Sequence, residues 1–184
     1  EAQTDGVHFL YVGRLSREKS VHRLVEAFRL VHERMPTARL NIVGDGPQAD
    51  ELQSQAAGLP VTFTGYLSGA ALVRSYEQAD IFVFPSTTDT YGKVVLEAQA
   101  AGLAVVVSGQ GGPRENVVPG KSGIVVRQET AEAYASAMLA LASDPHMLLG
   151  MKREARCYAE SRSSEKAFAA QWKLIETLTP QACW

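Results

Sequence analysis

The sequence is short of the residues that announce several common chemistries. It has two cysteines, Cys157 and Cys183, whose spacing suggests neither a disulfide framework nor a metal site. They read as two free thiols in a reducing cytosol. The four histidines, His8, His22, His32 and His146, form no ligand pattern. His22 and His32 fall on a helix full of charged residues, where solvated or packing roles suit them. Charge of one sign is also lacking: 18 Lys and Arg against 20 Asp and Glu give a formal net charge of −2. That balance excludes a general pull toward nucleic acid or an anionic membrane and leaves room only for a small local basic site. Long apolar runs are missing. Leu103–Val107 and the stretch around Val83–Pro85 are the longest, far short of the ~20 residues that span a bilayer. No signal peptide, internal repeat or low-complexity segment is visible.

What is present is the material of one ordinary globular domain, 184 residues of which 46% are hydrophobic. The chain starts without Met and a strand pattern opens by Val7, so it reads as a piece of a longer protein. Strand and helix patterns then alternate. Val7–Gly13 is an apolar strand. Val21, Leu24, Val25, Phe28, Val31 and Met35 recur at helical spacing, and Pro36 closes that helix. Strands follow at Arg39–Val43, Val61–Thr64, Asp80–Phe84, Ala104–Ser108 and Gly123–Val126. Gly44-Asp45-Gly46-Pro47 makes a tight turn into a helix, and further helices are expected at about 70–78, up to Ala101, and from Thr130 onward. Strands that are continuous apolar runs are buried on both faces. The alternation therefore predicts an α/β fold, a Rossmann-like doubly wound parallel sheet with helices on both sides. The core should cover about residues 7–160, with C-terminal helices over about 145–178. On the last of these, Phe168, Trp172, Ile175 and Leu178 form an apolar stripe, to pack on this domain or on a missing neighbour.

The chemistry concentrates in residues 85–102. Asp89 and Glu97 stand with seven residues between them, the first in a loop after a very apolar strand, the second about one turn into the helix that the loop opens, with Gly92 at the join. A carboxylate accepts well from neighbouring hydroxyls such as those of a ribose or a hexose. A helix N-terminus with free N–H groups suits a phosphate. Ligands of open parallel sheets bind outside the carboxyl ends of the strands, and a basic turn, Gly13-Arg14-Leu15-Ser16-Arg17-Glu18-Lys19, lies at such an end. Gly13 is expected to let the chain turn tightly, while Arg14 and Lys19 suit a diphosphate. Asp80 is expected only to start a strand.

Three blocks together, Gly13-Arg14-Leu15 with Glu18-Lys19, Gly44-Asp45-Gly46-Pro47, and Pro85-Ser86 through Asp89, Tyr91-Gly92, Leu96-Glu97-Ala98 and Gly102, closely resemble the nucleotide-sugar-binding half of the group 1 glycosyl transferases. That large retaining family includes sucrose synthases and bacterial mannosyl- and glucosyltransferases. Order and spacing match over roughly residues 7–160. The resemblance implies one half of a two-domain GT-B architecture, with the donor on this C-terminal domain and a glycan or lipid acceptor on a missing N-terminal one. It implies that Arg14 and Lys19 neutralise the donor diphosphate as it leaves, that Glu97 binds the ribose hydroxyls, and that Asp89 binds hydroxyls of the transferred sugar. Backbone N–H groups around Gly92, Lys93 and Val94 would cap the diphosphate at the helix start, and Gly13 and Tyr91 would also belong to the nucleotide-sugar site. Thr64-Gly65-Tyr66-Leu67 would lie near the base, with the Gly111-Gly112 turn close by.

Three positions depart from the family pattern: Asp89 stands where Glu is usual, Ser20 where Gly is usual after the Lys, and Ala104 where Pro is usual. A carboxylate one methylene shorter reaches less far, so the sugar is left open. Many sugar transferases hold Mg²⁺ or Mn²⁺ with an Asp-x-Asp pair. No Asp-x-Asp occurs here, so no metal or other cofactor is expected and the cations would take the ion's role. The donor would be a UDP- or GDP-linked sugar, with no nucleic-acid partner. The chain alone would transfer nothing, and the protein would be cytoplasmic, with any peripheral membrane docking carried by the missing half. Two other readings stay open: a related enzyme half, such as a nucleotide-sugar epimerase or a glycan phosphorylase, and a non-catalytic binding module that kept the fold.

Overall fold

A computed structural model describes residues 6–162. The apolar stripe Phe168, Trp172, Ile175 and Leu178 lies outside the described residues. Six strands, β1 (His8–Val12), β2 (Arg39–Val43), β3 (Val61–Gly65), β4 (Ile81–Phe84), β5 (Ala104–Ser108) and β6 (Gly123–Val126), form one parallel sheet in the order β3-β2-β1-β4-β5-β6. Helices α1 (Val21–Arg34), α2 (Ala49–Gln55), α3 (Gly69–Glu77) and α4 (Lys93–Ala100) follow β1 to β4 in turn, a 3-10 turn (Pro113–Asn116) links β5 to β6, and α5 (Ala131–Ala142) and α6 (Pro145–Arg162) follow β6. This is the expected doubly wound α/β architecture. The strand bounds agree with the sequence expectation to within a residue at each end.

Every residue of β4 and of β5 is buried, as an interior parallel strand requires. β3 is an edge strand and alternates between half-buried and exposed positions. Helix α1 turns Val21, Leu24, Val25, Phe28 and Val31 onto the sheet. Phe28 meets Phe9 of β1 edge-on at 6.1 Å between ring centroids. Each such fully buried aliphatic or aromatic side chain contributes about 1.5–3 kcal/mol relative to exposure.

A buried-side polar cluster fixes α1 against the other half of the sheet. Glu129 accepts from Arg23 of α1 at 3.1 Å, from the Ser108 hydroxyl at the end of β5 at 2.6 Å, and from the Tyr134 hydroxyl of α5 at 3.0 Å. Burial first, and then the Glu129 carboxylate, push the Tyr134 phenol above its ordinary range. Asp80 does more than start a strand: its carboxylate accepts from the His8 N–H at 3.1 Å and from Lys152 of α6 at 3.1 Å.

The strand order places β1 beside β4, where the direction of winding reverses. The loops leaving these two strands diverge there and open a crevice at the carboxyl edge of the sheet.

Candidate functional site

Three turns build the floor of that crevice. After β1, the Gly13 N–H donates to Val43 O at 3.0 Å and the Leu15 N–H to Asp45 O at 2.9 Å; after β2, the Gly44 N–H donates to Gly65 O at 2.9 Å. The turns following β1, β2 and β3 are thus lashed edge to edge. Gly44 makes the close approach workable. Its φ is +139°, and a Cβ there would lie 1.9 Å from the Gly13 carbonyl oxygen. Gly13 itself does not take a left-handed conformation. Its turn is shaped by the buried Tyr11, whose hydroxyl donates to Arg14 O at 3.0 Å and would meet a Gly13 Cβ at 2.7 Å. The chain bends at Gly13 as it leaves β1, as expected, and the glycine also leaves space beneath that phenol. Burial, and then the Asp89 and Glu18 carboxylates, push the Tyr11 phenol above its ordinary range.

Above this floor lies a cavity of about 810 Å³, large enough for a nucleotide-sized ligand. Six of the candidate binding residues line it: Gly13, Arg14, Tyr66, Leu67, Val94 and Glu97. Arg14 is exposed at its wall, and Tyr66, 78% exposed, stands at its mouth. Lys19, Asp89, Tyr91, Gly92 and Lys93 do not line it. They lie in the segments after β1 and β4 at the same edge of the sheet, Lys93 as the first residue of α4.

Lys19 sits at the end of a 3-10 turn, Arg17–Lys19, and donates to both oxygens of Asp89, at 2.7 and 2.8 Å. The two side chains are about one-fifth exposed. The sequence reading gave Lys19 and Asp89 separate roles; the structure joins them as an ion pair across the crevice. The same 3-10 turn carries Glu18, whose carboxyl is held below its ordinary range mainly by the hydrogen bond from the Ser16 hydroxyl at 2.6 Å.

Gly92, left-handed at φ 70°, turns the chain into α4, whose first N–H groups have no intrahelical acceptor. Val94 carries that helix start to the cavity wall, and Glu97, one turn on, is half-buried. The Tyr76 hydroxyl of α3 donates to Glu97 Oε2 at 3.2 Å, and Lys93 Nζ lies 3.6 Å from Glu97 Oε1. Burial first, and then the Glu97 carboxylate, push the Tyr76 phenol well above its ordinary range.

The Gly111-Gly112 turn is not beside Tyr66 and Leu67. It follows β5, on the far side of β4 from β2 and β3, and packs on the loop after β4: the Gly112 N–H donates to Asp89 O at 2.7 Å, and a Cβ at 112 would strike Thr90 O. Its part is to brace the Asp89 loop. Asn116, also unremarked in the sequence, completes that brace. It is buried, donates to Tyr91 O and accepts from the buried Gln99 amide at 2.9 Å. The turn Gly44-Asp45-Gly46 and the start of α3 line the cavity as well. The sequence marked the first only as a tight turn into a helix and a block of the resemblance; no signal pointed to the second. Among the described residues, no three His, Cys, Asp or Glu side chains gather as a metal site, and no helix is long and apolar enough to cross a membrane.

The family model for glycosyl transferases group 1 matches residues 6–144. A sulfoquinovosyl transferase of Arabidopsis thaliana is 33% identical over 172 residues, 91% of this chain and 31% of that protein. The chain spans less than half the length of the curated relatives it matches, 42% for a glycogen synthase of Mycobacterium tuberculosis. Among solved structures, the C-terminal domain of a glycosyl transferase group 1 family protein from Francisella tularensis superposes with a TM-score of 0.74 at 20% identity, covering 85% of this chain and 86% of that one. The Anabaena protein HepE, solved with UDP and glucose, superposes with a TM-score of 0.77 at 23% identity over 96% of this chain and 49% of its own.

Proposed function

The chain belongs to the group 1 glycosyl transferases, and from that premise we propose that it is the donor-binding domain of a retaining enzyme that moves a sugar from a UDP- or GDP-linked donor to a glycan or lipid. The observation that carries this reading is the cavity at the β1/β4 crevice, walled by Arg14 on one side and by Glu97 and the start of α4 on the other. Its size and chemistry suit a nucleoside diphosphate.

In this reading the base enters past Tyr66 and Leu67, and the ribose hydroxyls donate to Glu97. The diphosphate lies between Arg14 and the free N–H groups at Gly92, Lys93 and Val94. The sugar extends toward Asp89. As the bond from the sugar's anomeric carbon to the β-phosphate oxygen breaks, negative charge builds on that oxygen. In this reading Arg14 and Lys19 stabilise it, since preorganised cations in a partly dry site act most strongly on such developing charge. An acceptor hydroxyl oxygen bonds to the anomeric carbon on the face the leaving group vacates, and its proton passes to the departing β-phosphate oxygen. Lys19 now holds Asp89 with both prongs, so donor binding exchanges that ion pair for two separate contacts, diphosphate on Lys19 and sugar hydroxyl on Asp89. No metal is required by this scheme. The acceptor and the second wall of the cleft belong to an N-terminal domain, so the chain alone binds nucleotide without transferring sugar, and the whole enzyme works in the cytoplasm.

Calorimetric titration with UDP, GDP and ADP, with and without chelator, tests the reading. It expects saturable binding of one nucleotide, insensitive to chelator and weakened at least tenfold (about 1.4 kcal/mol) by Arg14→Ala and by Glu97→Ala. Binding of none of the three would refute it and favour a fold kept for a non-catalytic role.

A further inference from the structure

We propose that Tyr76 is a positioning residue for nucleotide recognition: its buried hydroxyl fixes the Glu97 carboxylate in the orientation that receives both hydroxyls of a ribose. This rests on the donor-site reading above and deepens it. Tyr76 lies on α3, 5% exposed, with its ring 6.1 Å from that of Phe82 in β4. It does not line the cavity, so it reaches a ligand only through Glu97, which does. The hydrogen bond between them, 3.2 Å from the hydroxyl to Oε2, joins two helices on either side of β4 in the sequence.

A carboxylate needs such an anchor because its last torsion is broad and roughly two-fold. Glu97 has a competing partner on its solvent side, the ammonium of Lys93, 3.6 Å from Oε1 on a side chain 67% exposed. A charged acceptor held from a rigid, buried ring presents its remaining lone pairs in a fixed direction. A vicinal diol needs two acceptors at one spacing. Without the phenolic hydroxyl, Oε2 loses the contact that ties Glu97 to α3, while the Lys93 ammonium still draws on Oε1. Tyr76 suits the task because it stays protonated: burial and the carboxylate itself keep it a donor. A group that acts from behind the binding residue should affect affinity only for ligands that use that residue.

The test titrates the full 184-residue chain, as wild type, Tyr76→Phe and Glu97→Gln, with whichever of UDP, GDP and ADP binds most tightly and with its dideoxy counterpart, which lacks both ribose hydroxyls. Tyr76→Phe keeps the ring and its packing, and thermal unfolding of each variant verifies that. The expected result is that Tyr76→Phe weakens the natural nucleotide by roughly fivefold and leaves the dideoxy nucleotide unchanged. Equal loss for both ligands, or no loss for either, would overturn the proposal. If Glu97→Gln weakens binding and Tyr76→Phe does not, only this inference fails. If the wild-type chain binds no nucleotide, the donor-site reading fails and takes this one with it.

Discussion

Lys19 Nζ lies 2.7 Å from Asp89 Oδ1 and 2.8 Å from Oδ2, a two-pronged contact between the loops that leave β1 and β4. The residues stand 70 positions apart in the chain, and the pair bridges the point where the winding of the sheet reverses. A carboxylate that holds a cation competes with any other anion that seeks it.

Asp89→Asn removes that competition. The affinity of the chain for a nucleoside diphosphate without sugar is therefore expected to rise by roughly threefold to tenfold, while unfolding free energy falls by about 1 kcal/mol, the scale of a part-exposed ion pair. Paired calorimetric and urea titrations measure both. Unchanged or weaker nucleotide binding would show that the diphosphate does not draw on Lys19.

Ser20 is the one non-glycine residue with positive φ, 54°, among the described residues. It closes the 3-10 turn of Lys19, donating its N–H to Arg17 O at 3.0 Å, and opens α1 without a side-chain cap. The left-handed conformation costs an L side chain about 1–2 kcal/mol, part of which glycine returns through its greater freedom in the unfolded chain. Ser20→Gly is expected to stabilise the domain by about 0.5–1 kcal/mol in urea unfolding, with nucleotide affinity unchanged. A loss of stability would mean that the Ser20 side chain contributes more than its backbone costs.

That position shows how far the sequence could be read. The resemblance marked Ser20 as a departure from glycine, and the left-handed turn now gives the reason. Strands β4 and β5 were legible because burial on both faces leaves continuous apolar runs such as Ile81–Phe84. Arg14, Glu97 and Val94 were legible as cavity residues because each lies within a few positions of a strand end or helix start. Contacts made across the fold were not. The Lys19–Asp89 pair, the Tyr76 hydroxyl on Glu97 and the Asn116 brace on Tyr91 depend on strand order, which local pattern does not specify. The Gly111-Gly112 turn was misplaced for the same reason: it belongs to β5 and braces the Asp89 loop.

Alkaline stability follows from three of the six tyrosines. Tyr11, Tyr76 and Tyr134 have phenols held above their ordinary range, chiefly by burial. A group whose folded pKa is raised gives stability that is complete below its unfolded pKa and is lost as pH climbs above it. Their contribution should therefore be flat up to about pH 10, and then fall by as much as roughly 4 kcal/mol per pH unit if all three ionise only on unfolding. Urea unfolding across alkaline pH, with tyrosinate absorbance followed in parallel, measures this. Ionisation of these three rings in the folded protein, without loss of stability, would contradict it.

The most direct measurement is a crystal structure of the chain with its nucleotide sugar bound. The account predicts the ribose hydroxyls on Glu97, the diphosphate between Arg14 and the N-terminus of α4, and Lys19 turned from Asp89 to the phosphate. A nucleotide seated elsewhere, or a donor bound in the crevice with the Lys19–Asp89 pair intact and no phosphate on Lys19, would contradict it.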